Sequence, residues 1–200
     1  IDLCVGQKID TDGYKVSEKV NFELDLSKPY ETTFKDFSEH CRKNIETSAR
    51  KKPELVSDVK PDEIIDLFIQ NRGKDIKGIK ARDYQRLKNL MNFCVMNKKG
   101  RIFGIRTARR KLIFGVFLVE VRGIKTMLFV VNTPLSLEKG IGYFVVNELI
   151  KDNSSTRTIL DFAGSSIPAI ASFMESFGST SVPFYRIYRN RLLWPVRMLK

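Results

Sequence analysis

The stretch "IKTMLFVVNTPLSLEKGIGYFVVNELIKDNSSTRTILDF", residues 124–162, decides the fold. It opens on a β-rich run, 124–132, and leaves it at Asn132-Thr133-Pro134. It restarts as a helix after Gly142 and ends on a second β-rich run, 157–162. Two strands joined through a helix form a crossover connection, so they pair in parallel in one sheet.

Upstream, "GRIFGIRTA" (100–108) and "RKLIFGVFLVEV" (110–121) lead into 124–132 through short turns, the second at Arg122-Gly123. That spacing predicts an antiparallel meander. Farther back, "KVNFELDL" (19–26) alternates Val20, Phe22, Leu24 and Leu26 with polar neighbours, the period of a half-buried strand. Phe34, Phe37, Cys41, Ile45 and Ala49 share one helical face; "PDEIIDLFIQNRG" starts on Pro61 and stops at Gly73; "ARDYQRLKNLMNFCVMN" carries Tyr84, Leu87, Met91 and Cys94 on one stripe. Downstream, "SIPAIASFMESFG" predicts a helix and "VPFYRIYRN" (182–190) a last strand. The sum is an α+β fold: a mostly antiparallel mixed sheet, flanked by helices, whose one parallel pair makes a V-shaped opening.

Two hundred residues suit one domain, or at most two small ones. No window approaches the roughly 20 apolar residues of a membrane span, and no secretory leader opens the chain, which points to the cytoplasm. The first residue is Ile1, as in a fragment or a processed product. Cys4, Cys41 and Cys94 form no C-x-x-C pair and read as reduced thiols, with no metal role. Charge is uneven. Residues 1–100 hold 20 basic and 17 acidic side chains, net +3, and residues 101–200 hold 15 and 6, net +9. The second half therefore suits an anion, whether a nucleotide, a phosphate-bearing cofactor, RNA or a membrane surface; the same excess of Lys and Arg also suits a purely solubilising role.

Two places carry candidate chemistry. Around "KGIGY", Gly140 and Gly142 allow a phosphate close to the backbone at a helix start, and Lys139 adds charge. The same glycines also suit a plain turn. Asp161 ends the second strand just before Gly164-Ser165-Ser166. It reads either as a general base for an attacking amine or as a buried structural acceptor for the adjoining turn. His40, the only histidine, reads as a surface residue, and "ARRK" (108–111) as a solvated hairpin turn.

"NFELDLSKPYETTFKDFSEHCRKNIETSARKK", "LFIQNRGKDIKGIKARDYQRLKNLM" and "LDFAGSSIPAIASFMESFG" through "YRIYRNRLLWPV" together resemble a bacterial family of GNAT-like proteins, the acyl-CoA N-acyltransferase fold, related to the Fem-type peptidoglycan aminoacyltransferases. The resemblance covers residues 19–200. It implies the second of two tandem GNAT-like domains, with residues 1–18 as a linker or the tail of the first. It implies acyl transfer from acyl-CoA or aminoacyl-tRNA to a small-molecule or peptide amine. Carried over, the acyl-donor arm runs along Val130, Val131 and Asn132, and the pyrophosphate sits on Lys139, Gly140, Ile141, Gly142 and Tyr143. Two positions depart from the pattern. Leu137 stands where Gln or Arg is usual before the loop. Met174 stands where many such enzymes carry a Tyr general acid, a role that Tyr185 is the candidate to fill. Those losses leave open a non-catalytic module that binds a partner or supports a preceding domain.

Overall fold

The computed structural model describes residues 2–4, 14–73, 76, 78–165 and 167–188, with the side chains of residues 2–4 excepted. Ser166, Arg189 and the rest of the last motif lie outside the described residues.

Among the described residues eight strands form one sheet: β1 (Asp2–Cys4), β2 (Lys15–Asp25), β3 (Leu55–Val56), β4 (Gly100–Arg106), β5 (Leu112–Val121), β6 (Ile124–Asn132), β7 (Ile159–Asp161) and β8 (Thr180–Tyr188). Their spatial order is β1-β8-β2-β7-β6-β5-β4-β3. The β4–β5–β6 meander is antiparallel as the turn spacing requires. The β6–β7 pair is parallel: Ile124, Lys125 and Thr126 oppose Ile159, Leu160 and Asp161. This is the GNAT-like α+β topology. Two features lay beyond the periodicity. Strand β2 begins at Lys15 rather than Lys19 and slots between β7 and β8, pairing antiparallel with both, and β1 adds to the far side of β8.

Helices cover both faces. α1 (Tyr30–Lys35), α2 (Glu39–Ala49), α6 (Ile141–Asn153) and α7 (Pro168–Glu175) lie over one core, built on Phe22, Leu24, Phe114, Val116, Leu160 and Phe162. α3 (Pro61–Phe68), which runs on into a π-helical turn at Ile69–Gly73, and α4 (Ala81–Met96) enclose a second core with Ile102, Leu112, Phe117 and Val131. The helical face expected through Phe34, Phe37, Cys41, Ile45 and Ala49 is carried by two helices. Ser38 breaks it: its Oγ accepts from the Cys41 N–H at 3.1 Å, and its own N–H donates to the Ser176 carbonyl at 2.9 Å. An N-cap tied to the end of α7 fixes where α2 starts better than periodicity can.

The turn after β7 explains the Gly-Ser run. Ala163 and Gly164 both take left-handed backbone, each with φ of +61°. A Cβ on Gly164 would lie 2.3 Å from the Val20 carbonyl oxygen of β2. Gly164→Ala therefore collides with backbone as well as straining φ, and we expect a loss of more than about 2 kcal/mol in urea unfolding. A variant within about 0.5 kcal/mol of wild type would show that the chain does not press on β2 here.

Candidate functional site: an apolar cleft beside a basic one

Strands β6 and β7 part after Thr126 and Asp161, and Met127–Asn132 then run without a strand partner on that side among the described residues. A bulge shapes this free segment. Phe117 of β5 opposes Phe129, and Leu118 opposes Met127, leaving Leu128 as the extra residue. One inserted residue reverses the side-chain phase. Met127, Val130 and Asn132 all face a cleft of about 400 Å3, while Phe129 and Val131 pack towards α3 and α4.

The opposite wall of this cleft comes from α6 and α7, with Phe162, Phe173 and Met174. A short helix, α5 (Pro134–Glu138), bridges β6 to α6 over residues whose sequence shows no helical period. It is set by a polar knot: Thr133 Oγ1 donates to the Ile113 carbonyl at 2.9 Å, and Ser136 Oγ makes contacts to Thr133 O and Asn132 Oδ1 of 2.9 and 3.2 Å. Gly140 then caps α6 with φ of +66°, left-handed backbone that favours glycine. The Tyr143 N–H donates to the Gly140 carbonyl at 3.1 Å, but Ile141 and Gly142 sit in the first turn, whose N–H groups have no intrahelical acceptor. A Cβ on Gly142 would meet Phe173 across the cleft at 3.5 Å, so the narrow part is kept open by a missing side chain.

The expected donor-binding residues separate into groups. Val130, Asn132, Gly140, Gly142 and Tyr143 line the apolar cleft. The Val131 side chain points to the other face of the sheet and Ile141 is buried in the core, so each offers backbone only. Lys139 turns into a neighbouring, larger cleft of about 880 Å3. There it meets Lys51 and Lys52 from the end of α2, and Arg106 and Arg110 from the β4–β5 hairpin. Arg106 is bound to Glu63 at 2.9 Å; Lys51, Lys52, Arg110 and Lys139 have no ion-pair partner among the described residues. These cations are scattered over about ninety residues of sequence, which hid the cluster. The "ARRK" turn, exposed as expected, supplies one of its walls through Ala108 and Arg110.

Asp161 is half-buried rather than buried, which corrects the expectation from its apolar strand. Its neighbours Leu160 and Phe162 point into the core; Asp161 points to the opposite face. It accepts from Asn21 Nδ2 at 2.9 Å, from Thr126 Oγ1 at 3.0 Å and from the Ala163 N–H at 2.7 Å. The turn contact is therefore made at Ala163, while Ser165 Oγ accepts separately from the Ile167 N–H at 3.1 Å. Tyr185 stands on β8, separated from β6 by β2 and β7, and does not reach the apolar cleft. The titratable side chain on that cleft is Tyr143, whose hydroxyl is held above the usual tyrosine range, chiefly by burial and then by nearby Cys41, against a hydrogen bond from Ser176. Behind it Cys41 is fully buried and its thiol is pushed up from the ordinary 9.0 to about 11, again chiefly by burial. His40, exposed as expected, lies edge-on to Tyr143 with ring centroids 5.8 Å apart.

No family model matches the sequence, and no curated protein matches it. Solved structures do. The chain is similar to FemX, with a TM-score of 0.67 and 10% identity over 94% of this chain and 68% of that one. It is similar to L-PGS from Bacillus licheniformis, with a TM-score of 0.55 and 13% identity over 94% and 65%. A conserved protein of unknown function from Bacteroides thetaiotaomicron matches with a TM-score of 0.61 and 10% identity over 91% and 64%. The chain thus spans about two thirds of these structures. At such identities the likeness is one of fold, the GNAT-like, Fem-related fold.

The carboxylate and the buried thiol each give a measurable expectation. Asp161→Ala leaves the Asn21, Thr126 and Ala163 donors without their acceptor and should cost about 1–3 kcal/mol in chemical unfolding; unchanged stability with lost activity would make Asp161 a catalytic base instead. The thiol sets a pH dependence. A thiol whose folded pKa is raised contributes its stability in full below pH 9, and loses it as pH rises through about 11. Unfolding free energy should fall across that interval by up to about 1.4 kcal/mol per pH unit, and Cys41→Ala should flatten the fall. An identical slope in the variant would assign it to other groups.

Proposed function

We propose that the protein transfers an acyl or aminoacyl group from a phosphate-bearing donor to an amine. One observation carries this reading: the apolar cleft and the basic cleft share the α5–α6 turn, with Gly140 and Gly142 on one and Lys139 and Ile141 on the other. A donor with an anionic carrier and an apolar arm needs that adjacency. The Ile141 and Gly142 N–H groups and the α6 dipole suit a phosphate, with Lys139 supplying charge. The unpaired edge at Val130–Asn132 suits the amides of a pantetheine arm, which would add to the sheet as a strand does. An acyl-coenzyme A would supply an activated thioester. The amine nitrogen bonds to the acyl carbon as the carbon–sulfur bond breaks, and the amine proton passes to the leaving sulfur. Asp161, held by three donors on the far face, is assigned to shaping the opening.

Two other readings have specific support. The free lysines and Arg110 of the basic cleft also suit the phosphates of an aminoacyl-tRNA, in which case a carbon–oxygen ester bond breaks instead. Met174 in the cleft wall, and Tyr185 outside it, favour a non-catalytic module that binds the donor or supports a preceding domain. Residues 19–200 would then be the second unit of a tandem pair.

Calorimetric titration with acetyl-CoA and coenzyme A separates these readings. We expect binding that Gly142→Val weakens at least about tenfold, because the added methyls fill the space before Phe173, while unfolding stays cooperative. Gly140→Val is the poorer probe, since it also strains a left-handed residue. Binding untouched by Gly142→Val would refute this placement. Binding without thiol release in the presence of amines supports the module. Absence of binding at millimolar coenzyme A, with retention of aminoacyl-tRNA, supports the tRNA-dependent transferase.

A further inference from the structure

Helix α4 turns an unusual face outward. Its inner stripe, Leu87, Met91 and Cys94, packs on α3 and the sheet. Its outer stripe begins with Arg82 and Arg86 and continues through Leu90, Phe93 and Met96. These apolar side chains are 43%, 61% and 82% exposed. Steps of three and four residues keep all five on one side of the helix. Lys98 and Lys99 come next, both exposed, at the mouth of a cleft that they share with Glu120 and Asp152; Arg101, beyond them, lines that cleft on the opposite face of the sheet, and within residues 80–99 the sole acid is Asp83. Asp83 accepts from the Lys80 N–H at 2.9 Å and lies between both arginines, 3.9 Å from Arg82 and 3.5 Å from Arg86, so this end of the stripe carries a net charge of one.

Apolar tips at the centre of a cationic rim are what an anionic bilayer surface recognises. Phe and Met side chains enter the acyl boundary while Lys and Arg stay among the headgroup phosphates. A nucleic acid would use the cations but offers no apolar phase for Met96. An acidic protein surface would need its own apolar patch at the same spacing. No helix among the described residues is long and apolar enough to cross a membrane, so contact here lies in the plane of the interface.

We propose that the outer face of α4 docks the protein reversibly on anionic lipid, with Phe93 and Met96 inserted and Arg82, Arg86, Lys98 and Lys99 on the headgroups. The inference is independent of the acyl-transfer reading, because α4 contributes nothing to either cleft.

The test is co-sedimentation of the full chain with vesicles of phosphatidylglycerol and phosphatidylcholine, compared with phosphatidylcholine alone. The expected result is partition into the anionic vesicles only. Phe93→Ser with Met96→Ser should lower that partition by about tenfold or more for each side chain lost. Both residues are exposed, so circular dichroism and coenzyme A titration should be unchanged. Failure to partition into anionic vesicles overturns the proposal. So does partition that survives the double variant, which would assign the attraction to charge elsewhere, such as the basic cleft. Sedimentation velocity supplies the remaining alternative: a dimer that the double variant dissolves, with no vesicle binding, would make this face a contact between two copies.

Discussion

The molecule turns on a single residue inserted into β6. Without the bulge at Leu128, strict alternation would send Val131 to the cleft and Val130 and Asn132 towards the core under α3 and α4. A buried asparagine there would lack partners, at a cost of a few kcal/mol. The bulge puts the apolar Phe129 and Val131 into that core and leaves Asn132 beside Ser136, where its Oδ1 has a hydroxyl partner. It also increases local twist. The strand is thereby turned just where its parallel neighbour stops.

The end of β7 is set equally locally. Three donors converge on Asp161, and one of them is the backbone of Ala163, which bends the chain into left-handed turn geometry. Gly164 then passes so close to Val20 that no other residue fits. A β7 that continued along β6 would fill the cleft with backbone; one that ended without a replacement would leave an apolar strand edge open, an aggregation hazard. Here α7 closes over the gap with Phe173 and Met174. Strand β2 completes the support from the other side, pairing with β7 through Glu23–Asp25 and with β8 through the rest of its length. The opening is therefore held by pairing on β7's outer side and by the β5 ladder on β6.

This division explains what the sequence disclosed. The crossover between 124–132 and 157–162 was legible because a strand period, a helix period and a second strand run succeed one another with little ambiguity. The bounds of β6 match the β-rich run. The bulge was not legible, because Met127, Leu128, Phe129, Val130 and Val131 are all apolar and hide the change of phase. The slot of β2 was not legible either, since nothing local to residues 15–25 names β7 and β8 as neighbours. Asp161 misled in degree: Leu160 and Phe162 are buried, but alternation puts the carboxylate on the other face, where it is only half-buried. Sequence adjacency puts Lys139 with the glycine loop, yet the left-handed Gly140 that follows it leaves its side chain in a different cleft.

The positive charge of the chain acquires a different meaning once it is distributed over this frame. As composition it suggests only solubility or a general taste for anions. In space it divides across the sheet. Lys51, Lys52, Arg110 and Lys139 gather at the α5–α6 turn, beside the cleft that the splayed strands create. The cations of α4 lie over the second core, on a helix that packs against α3 and β4. The two groups line different surfaces. The first is concave and adjoins an apolar slot, a geometry for a small anionic head with a tail. The second is convex, with its apolar residues at the summit, a geometry for an extended surface. Shape, more than net charge, decides which anion each can hold.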